Sequence, residues 1–199
     1  MSIIVENLLG KKLKSQIFTA NGTWTRPAGV DYVQITLVGG GRGGSYAGNA
    51  ANYPGGGGGA GCVYQAVVPV SGNVGVVIGG AGAAGNSNGY TEGGTGTATS
   101  FGSYSASGGL GGKTALIANG VAPAGSGASN GCTGHGSRGG DGAGSYITGR
   151  SGGAGGKDAA GSSATANSGA GGGGGGNSGT TERNGGAGGS GWAMVVWYE

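Results

Sequence analysis

The stretch YVQITLVGGG, residues 32–41, contains both kinds of structure that the whole sequence predicts. Val33, Ile35 and Leu37 alternate with other residues, which is the pattern of a β-strand with one buried face. The strand is followed directly by a glycine run that starts at Gly39. The sequence therefore predicts strands that continue into glycine-rich segments.

Three regions are dense in β-branched and aromatic residues. They cover residues 16–38, 62–78 and 192–198. The second region reverses at Ser71-Gly72-Asn73, which predicts a hairpin, and the third has apolar residues on both faces of a strand. We expect the three regions to form one small antiparallel β cluster in a mainly β or irregular fold without substantial α-helix.

Glycine dominates the rest of the chain. The sequence contains 59 glycines among 199 residues, which is about 30 % against a usual 7 %. Runs such as 55–59 and 171–176 break any Gly-X-Y period, and there are only four prolines, so the composition excludes collagen. Charged residues make up 9 % and aromatic residues 7 % of the chain, a composition that argues against an ordinary enzyme.

Glycine runs of this kind either remain flexible linkers or pack against one another. A polyproline II helix makes no internal hydrogen bonds, so its N–H and C=O groups can pair with neighbouring helices, and only glycine permits the close approach. We expect a bundle, or sandwich, of polyglycine II helices between the β regions, with flexible linkers as the alternative.

The order of the runs predicts where the loops lie. If successive runs are antiparallel and the β cluster is at one end, alternate loops meet at the far, distal end, whereas loop 157–168 is proximal. Distal loops rich in Tyr, Asn and Arg suit a polar contact surface, and solvated turns are the alternative. The candidate receptor-binding residues are Tyr46, Asn49, Asn52, Tyr53, Asn86, Asn88, Tyr90, Glu92, Leu116, Ile117, Tyr146, Arg150, Glu182 and Arg183.

Residues 1–15 differ in composition from the glycine-rich domain, 16–199, and are interpreted as an attachment arm. Their apolar residues fit one face of a helix, and a strand or a frayed terminus fits equally well. The candidate residues for fibre attachment are Ile3, Ile4, Val5, Leu8, Leu9 and Leu13.

No cofactor or metal site is expected. Cys62 and Cys132 are far apart with only His135 available as a histidine, so the spacing suits neither a zinc site nor a disulfide framework. Residues 107–114, SGGLGGKT, resemble a phosphate-binding loop but lack its first glycine. The net charge of +3 is scattered. Met1 to Val5 has no basic n-region, and no 18-residue apolar run occurs, a pattern that argues against a signal peptide or a membrane span. We therefore expect no nucleic-acid partner, no membrane insertion and synthesis in a cytoplasm.

The segment from Phe18 through Trp24 to the glycines at 39–41, together with the ending at 188–198, resembles glycine-rich bacteriophage tail proteins. The alternation of glycine runs and polar loops is similar to the tail-fibre tip adhesins of T-even-like phages. The resemblance implies a virion protein that is not an enzyme and whose distal loops bind a host receptor, either an outer-membrane protein or a glycan. The apolar density of residues 1–15 predicts attachment to a tail-fibre or other tail protein, or self-association, through the arm. The alternatives are a purely structural virion component and an ice-binding polyglycine II protein.

Overall fold

The computed structural model describes residues 11–47, 55–88, 91–110, 160–176 and 183–199. Within these ranges the regular structure consists of β-strands without any helix, which confirms the mainly β fold. The strands are β1 (Leu13–Phe18), β2 (Gly22–Trp24), β3 (Tyr32–Val38), β4 (Val63–Pro69), β5 (Val74–Val77), β6 (Thr99–Phe101), β7 (Tyr104–Ala106) and β8 (Trp192–Tyr198).

The strands form two antiparallel four-stranded sheets. The first sheet has the order β1-β8-β3-β4, and the second has the order β2-β5-β6-β7. In the first sheet Ile35 of β3 pairs with Ala66 on one side and Val195 on the other. The single β cluster expected from the sequence is therefore two sheets that face each other across a shared core.

The predicted hairpin over 62–78 is wrong. β4 belongs to the first sheet and β5 to the second, so the turn at 71–73 carries the chain from one sheet to the other. The physical reason is burial, because Val68 and Val76 both point into the space between the sheets. Two sheets can enclose the large Trp24 side chain from both sides, whereas one hairpin cannot.

The core lies between the two sheets and is centred on Trp24, which is fully buried. The centroid of its ring lies 6.0 Å from that of Phe101 and 5.6 Å from that of Trp197. Tilted and edge-on geometries of this kind stabilise aromatic pairs beyond the burial of their area. The inward-facing residues of β3 are those predicted from the alternation, namely Val33, Ile35 and Leu37.

The boundaries of some strands differ from the expected ones. β1 begins at Leu13, inside the segment 1–15 that was assigned to the arm, because this segment pairs with β8. β6 and β7 form a hairpin that the sequence pattern does not reveal, since each strand has only 3 residues.

Cys62 directly precedes β4, is fully buried and is disulfide-bonded. The sequence contains one other cysteine, Cys132, which lies outside the described residues. The cysteine spacing predicted no disulfide, and this prediction is wrong for Cys62.

Six strands continue directly into extended glycine-rich runs at one end of the two sheets. Run 1 (39–47) follows β3, run 2 (55–61) precedes β4, run 3 (79–88) follows β5, run 4 (91–98) precedes β6, run 5 (107–110) follows β7, and run 8 (183–191) precedes β8. Run 6 (160–165) and run 7 (169–176) are joined by a turn. We call these runs the bundle, and the end that is remote from the sheets the distal end.

Successive backbone N–H groups of run 1 donate hydrogen bonds to different neighbouring runs. The N···O distances are 2.7–3.0 Å. Gly39 donates to Cys62, which directly follows run 2, and Arg42 and Ser45 donate to run 2 itself. Gly40 and Gly43 donate to run 4, and Gly41, Gly44 and Ala47 donate to run 8. The acceptor run thus repeats at every third residue, and a polyproline II helix has three residues per turn. This is the pattern expected of polyglycine II packing, and the conformation itself stays a prediction.

The carbonyl groups of run 1 accept hydrogen bonds from three further runs. The donors lie in runs 3, 5 and 7, which are parallel to run 1, whereas runs 2, 4 and 8 are antiparallel to it. Run 1 therefore has six neighbouring runs. A Cβ atom at Gly41 would lie closer than 3.0 Å to the carbonyl oxygen of Ala170, so the approach of run 7 requires glycine there.

The predicted proximal loop over 157–168 is wrong for residues 160–165, which form run 6. Gly161 donates to the carbonyl of Asn184 near the distal end, and Ala164 donates to that of Ala187, so run 6 returns towards the sheets beside run 8. Within the described part of this loop, the turn at 166–168 is proximal, next to Ser190. Serine and alanine replace glycine in run 6, which is why the composition does not reveal it.

Candidate functional site

The distal end of the bundle brings together the described parts of three predicted loops. An isolated β-bridge pairs Ala47 with Arg183. The Gly85 N–H donates to the carbonyl of Gly44 at 2.8 Å, and the Gly185 N–H donates to the carbonyl of Gly85 at 3.0 Å. The bases of the loops that start or end in runs 1, 3 and 8 therefore lie side by side.

Hydrogen bonds join the ends of runs 3 and 4 at the distal end. Asn86 and Thr91 exchange two backbone hydrogen bonds of 3.0 Å, and the Asn88 N–H donates to Asn86 Oδ1 at 2.8 Å. The N–H and Oγ of Ser87 both donate to Asn184 Oδ1, at 2.8 and 2.9 Å. These bonds tie the end of run 3 to run 8.

Arg42 places a charged side chain in the central run. The side chain is 13 % exposed, and its Nη2 atom lies 3.6 Å from Glu92 Oε2, whose side chain is 43 % exposed. The buried Arg42 Nε atom has no hydrogen-bond partner in the described part of the chain. A mostly buried cation needs a nearby anion, so Glu92, a predicted receptor contact, also compensates the charge of Arg42.

The predicted contact residues that the structure describes all lie near the distal end. Asn86, Asn88 and Glu92 are exposed, whereas Tyr46 and Arg183 are partly buried. The other predicted contact residues lie outside the described residues: Asn49, Asn52, Tyr53, Tyr90, Leu116, Ile117, Tyr146, Arg150 and Glu182.

Three residues that order the distal end were missed by the sequence argument. Ser87, Thr91 and Asn184 join the ends of runs 3, 4 and 8. Small polar residues are ordinary in any turn, so no signal in the sequence distinguishes them. Only the pairing of run 3 with run 8 shows their role.

The opposite end of the molecule carries the start of β1. Leu13, a predicted attachment residue, pairs with Tyr198 at this end and is 59 % exposed. The remaining predicted attachment residues, Ile3, Ile4, Val5, Leu8 and Leu9, lie outside the described residues.

Glu199 follows β8 and fixes this end of the first sheet. Its carboxylate accepts a hydrogen bond from Trp197 Nε1 at 3.1 Å and lies 3.3 Å from Lys14 Nζ. The hydrogen bond from Trp197, followed by the contact with Lys14, lowers the pKa of Glu199 below its ordinary value. The carboxylate is therefore charged at neutral pH and joins β1 to β8.

The described ranges contain no group of three or more His, Cys, Asp and Glu side chains arranged to hold a metal ion. A membrane-spanning helix, long and apolar, is likewise not found in the part of the chain that the structure describes.

A protein-family model matches nearly the whole chain. A family model described as a glycine-rich domain matches residues 17–198. The chain belongs to this glycine-rich domain family. The match begins in β1 and ends at the last residue of β8, so it includes both sheets and all the runs described above. No curated protein matches the sequence.

Proposed function

We propose that the protein is a phage tail receptor-binding protein, an adhesin without enzymatic activity, that recognises a host cell-surface receptor through the distal end of the bundle. The observation that carries the proposal is the joining of three polar loop bases at one end, through the Ala47–Arg183 bridge and the bonds from Ser87 to Asn184. Loops on a rigid scaffold are a common way to build a binding surface.

The chemistry of the distal end supports binding of a polar receptor. The exposed groups there include the amides of Asn86 and Asn88 and the carboxylate of Glu92, and the partly buried Tyr46 adds an aromatic ring. Side chains of these types predominate in adaptable, polar contact surfaces. A bacterial outer-membrane protein or a glycan would both present suitable hydrogen-bonding partners.

The bundle contributes to affinity by holding the loop bases in place. Flexible loops lose conformational entropy on binding, and this cost lowers affinity. The hydrogen bonds between runs 1, 3 and 8 fix the loop bases in advance. The sheets and the start of β1 lie at the other end, which leaves them available for attachment to the virion, by the arm or by a neighbouring surface.

The test compares two tyrosine variants at opposite ends of the molecule. Tyr46→Ala removes an aromatic ring at the distal end, and Tyr32→Ala removes an exposed one from the first sheet. Binding of purified protein to host cells is measured, together with its ability to block phage adsorption. We expect Tyr46→Ala to weaken binding roughly 5- to 150-fold, as for a central contact residue, and Tyr32→Ala to bind as the unchanged protein does.

Two outcomes would contradict the proposal. If Tyr32→Ala lost binding and Tyr46→Ala kept it, the receptor surface would lie at the other end. If the purified protein bound no host cells but was still incorporated into phage particles, the protein would be a structural virion component.

A further inference from the structure

The outer edge of β1 carries backbone groups that are free to pair. Lys12 and Glu199 exchange backbone hydrogen bonds of 2.6 and 3.0 Å, and the register continues with Leu13 opposite Tyr198. Bonded and non-bonded pairs alternate in an antiparallel ladder. The N–H and C=O groups of Leu13, Ser15 and Ile17 therefore point away from β8, and every residue from 11 to 17 is exposed.

The other sheet edges are short or blocked. β2 and β7, at the edges of the second sheet, have 3 residues each. β4 is the other edge strand of the first sheet. The Val70 N–H, just after β4, donates to the Asp31 carbonyl, just before β3. The register therefore turns the backbone groups of the even-numbered β4 residues towards β3. The outward positions of β4 thus include Pro69, which has no N–H and protects an edge from pairing.

The outer face of the first sheet, next to this edge, carries no charge. Its residues are Leu13, Ser15, Ile17, Tyr32, Gln34, Thr36, Val38, Val63, Gln65, Val67, Pro69, Trp192, Met194, Val196 and Tyr198. At the edge itself Leu13 is 59 % and Ile17 is 63 % exposed. Thr36 and Val38 are buried, but Leu13 and its cross-strand partner Tyr198 form an exposed apolar pair at the edge. Neighbouring exposed apolar residues indicate an interaction surface.

We propose that β1 pairs antiparallel with β1 of a second copy of this chain, so that the two first sheets become one continuous sheet. A twofold axis at Ser15 places Leu13 opposite the partner subunit's Ile17 and Ile17 opposite the partner subunit's Leu13. The outward groups of these residues then form backbone hydrogen bonds, and apolar side chains meet on the uncharged face.

The charges of β1 fit this register. Lys14 lies opposite the partner subunit's Gln16, and Lys12 lies opposite the partner subunit's Phe18, so no lysine lies directly opposite a lysine. Lys14 is already neutralised by Glu199. The basic start of one β1 strand thus meets the uncharged end of the other. For this reason we assign a second copy of the chain as the partner that pairs with the β1 edge.

The inference rests on the proposed function in one respect, namely that the receptor binds at the distal end. The dimer leaves that end free and uses the opposite end for assembly. A single pair of edge strands buries little area compared with a stable dimer of standard size. We therefore expect reversible association with a Kd between about 1 µM and 1 mM.

The test is sedimentation of the full chain over this concentration range. Ser15→Pro removes an outward N–H without breaking a bond to β8, and Ile17→Lys places a charge opposite the partner subunit's Leu13. Val67→Lys is the matched control, because Val67 is 69 % exposed on the same face but lies on β4. We expect the first two variants to weaken dimerisation at least about tenfold and the control to leave it unchanged.

The fold and the receptor site are checked in the same samples. Gln16→Pro removes a bond to β8 and should lower the unfolding temperature, whereas Ser15→Pro should leave it unchanged. If Ser15→Pro does not fold, the effect of Ile17→Lys on dimerisation tests the inference instead. A protein that is monomeric throughout would overturn the inference. So would a dimer that Val67→Lys disrupts and Ile17→Lys does not. Cell binding by Tyr46→Ala, measured in parallel, tests the proposed function separately.

Discussion

Individual glycines of run 1 determine whether the bundle can close. At Gly41 a Cβ atom would collide with the backbone of run 7, at the Ala170 carbonyl oxygen. Because that atom belongs to a hydrogen-bonded backbone, it cannot move away as a side chain could. Gly41→Ala should therefore lower the free energy of unfolding by about 3 kcal/mol or more, as measured by chemical denaturation.

A matched control exists in the neighbouring run. Gly80 lies in run 3, and a Cβ atom there would find its nearest neighbour, Thr97 Oγ1, at 3.5 Å, an ordinary contact. Gly80→Ala should be neutral or stabilise the fold by about 0.4–1 kcal/mol, because alanine restricts the unfolded chain. Equal destabilisation by both variants would show that the close approach of run 7 to Gly41 is not what requires glycine.

At the scale of elements, Thr99 joins both sheets to the bundle. Its buried Oγ1 donates to the Val38 carbonyl at 2.6 Å and accepts from the Gly79 N–H at 2.9 Å. Thr99→Val keeps the shape of the side chain and leaves both backbone groups without this partner. We expect a loss of about 1–3 kcal/mol in the free energy of unfolding, because the Gly79 N–H loses its partner, whereas the Val38 carbonyl also faces Trp192 of β8 in the ladder.

Thr36 provides the control for that substitution. It is also buried on a strand, but its Oγ1 accepts only a 3.3 Å bond from Gln65 Nε2. Thr36→Val should change the free energy of unfolding by less than about 1 kcal/mol. If Thr36→Val cost as much as Thr99→Val, the junction between sheets and bundle would have no special importance.

The elements also show how far the sequence predicts the fold. β3 and β8 have the predicted bounds, because seven alternating or densely apolar residues give a clear signal. The turn at 71–73 has the same chemistry in a hairpin and in a crossing between sheets, so only the packing around Trp24 decides between them. Run 6 was missed because Ser162 and Ser163 replace glycine.

The candidate site was predictable in location but not in detail. The alternation of outgoing and returning runs places Asn86 and Arg183 near the same end, and the structure has them there. The partners of the tip side chains depend on which runs are neighbours across the bundle, and that order is not encoded locally. For this reason the bonds from Ser87 to Asn184 and the pairing of Glu92 with Arg42 were not predicted.

At the scale of the whole molecule, backbone hydrogen bonds do in the bundle what apolar side chains do between the sheets. The chain passes from β3 into run 1 without interruption, and run 1 is bonded to six neighbouring runs. Sheets and bundle should therefore unfold together, as one cooperative unit. This cooperativity is what allows the distal end to act as a fixed platform for loops.

The most direct test of this account is amide hydrogen exchange, residue by residue, along 33–45. The N–H groups of residues 39–45 are all hydrogen-bonded, although most of them belong to glycine. We expect the amides of Gly40 to Gly44 to exchange as slowly as those of Ile35 and Leu37, through global unfolding alone. Exchange of the glycine amides at random-coil rates, while β3 remained protected, would contradict the account.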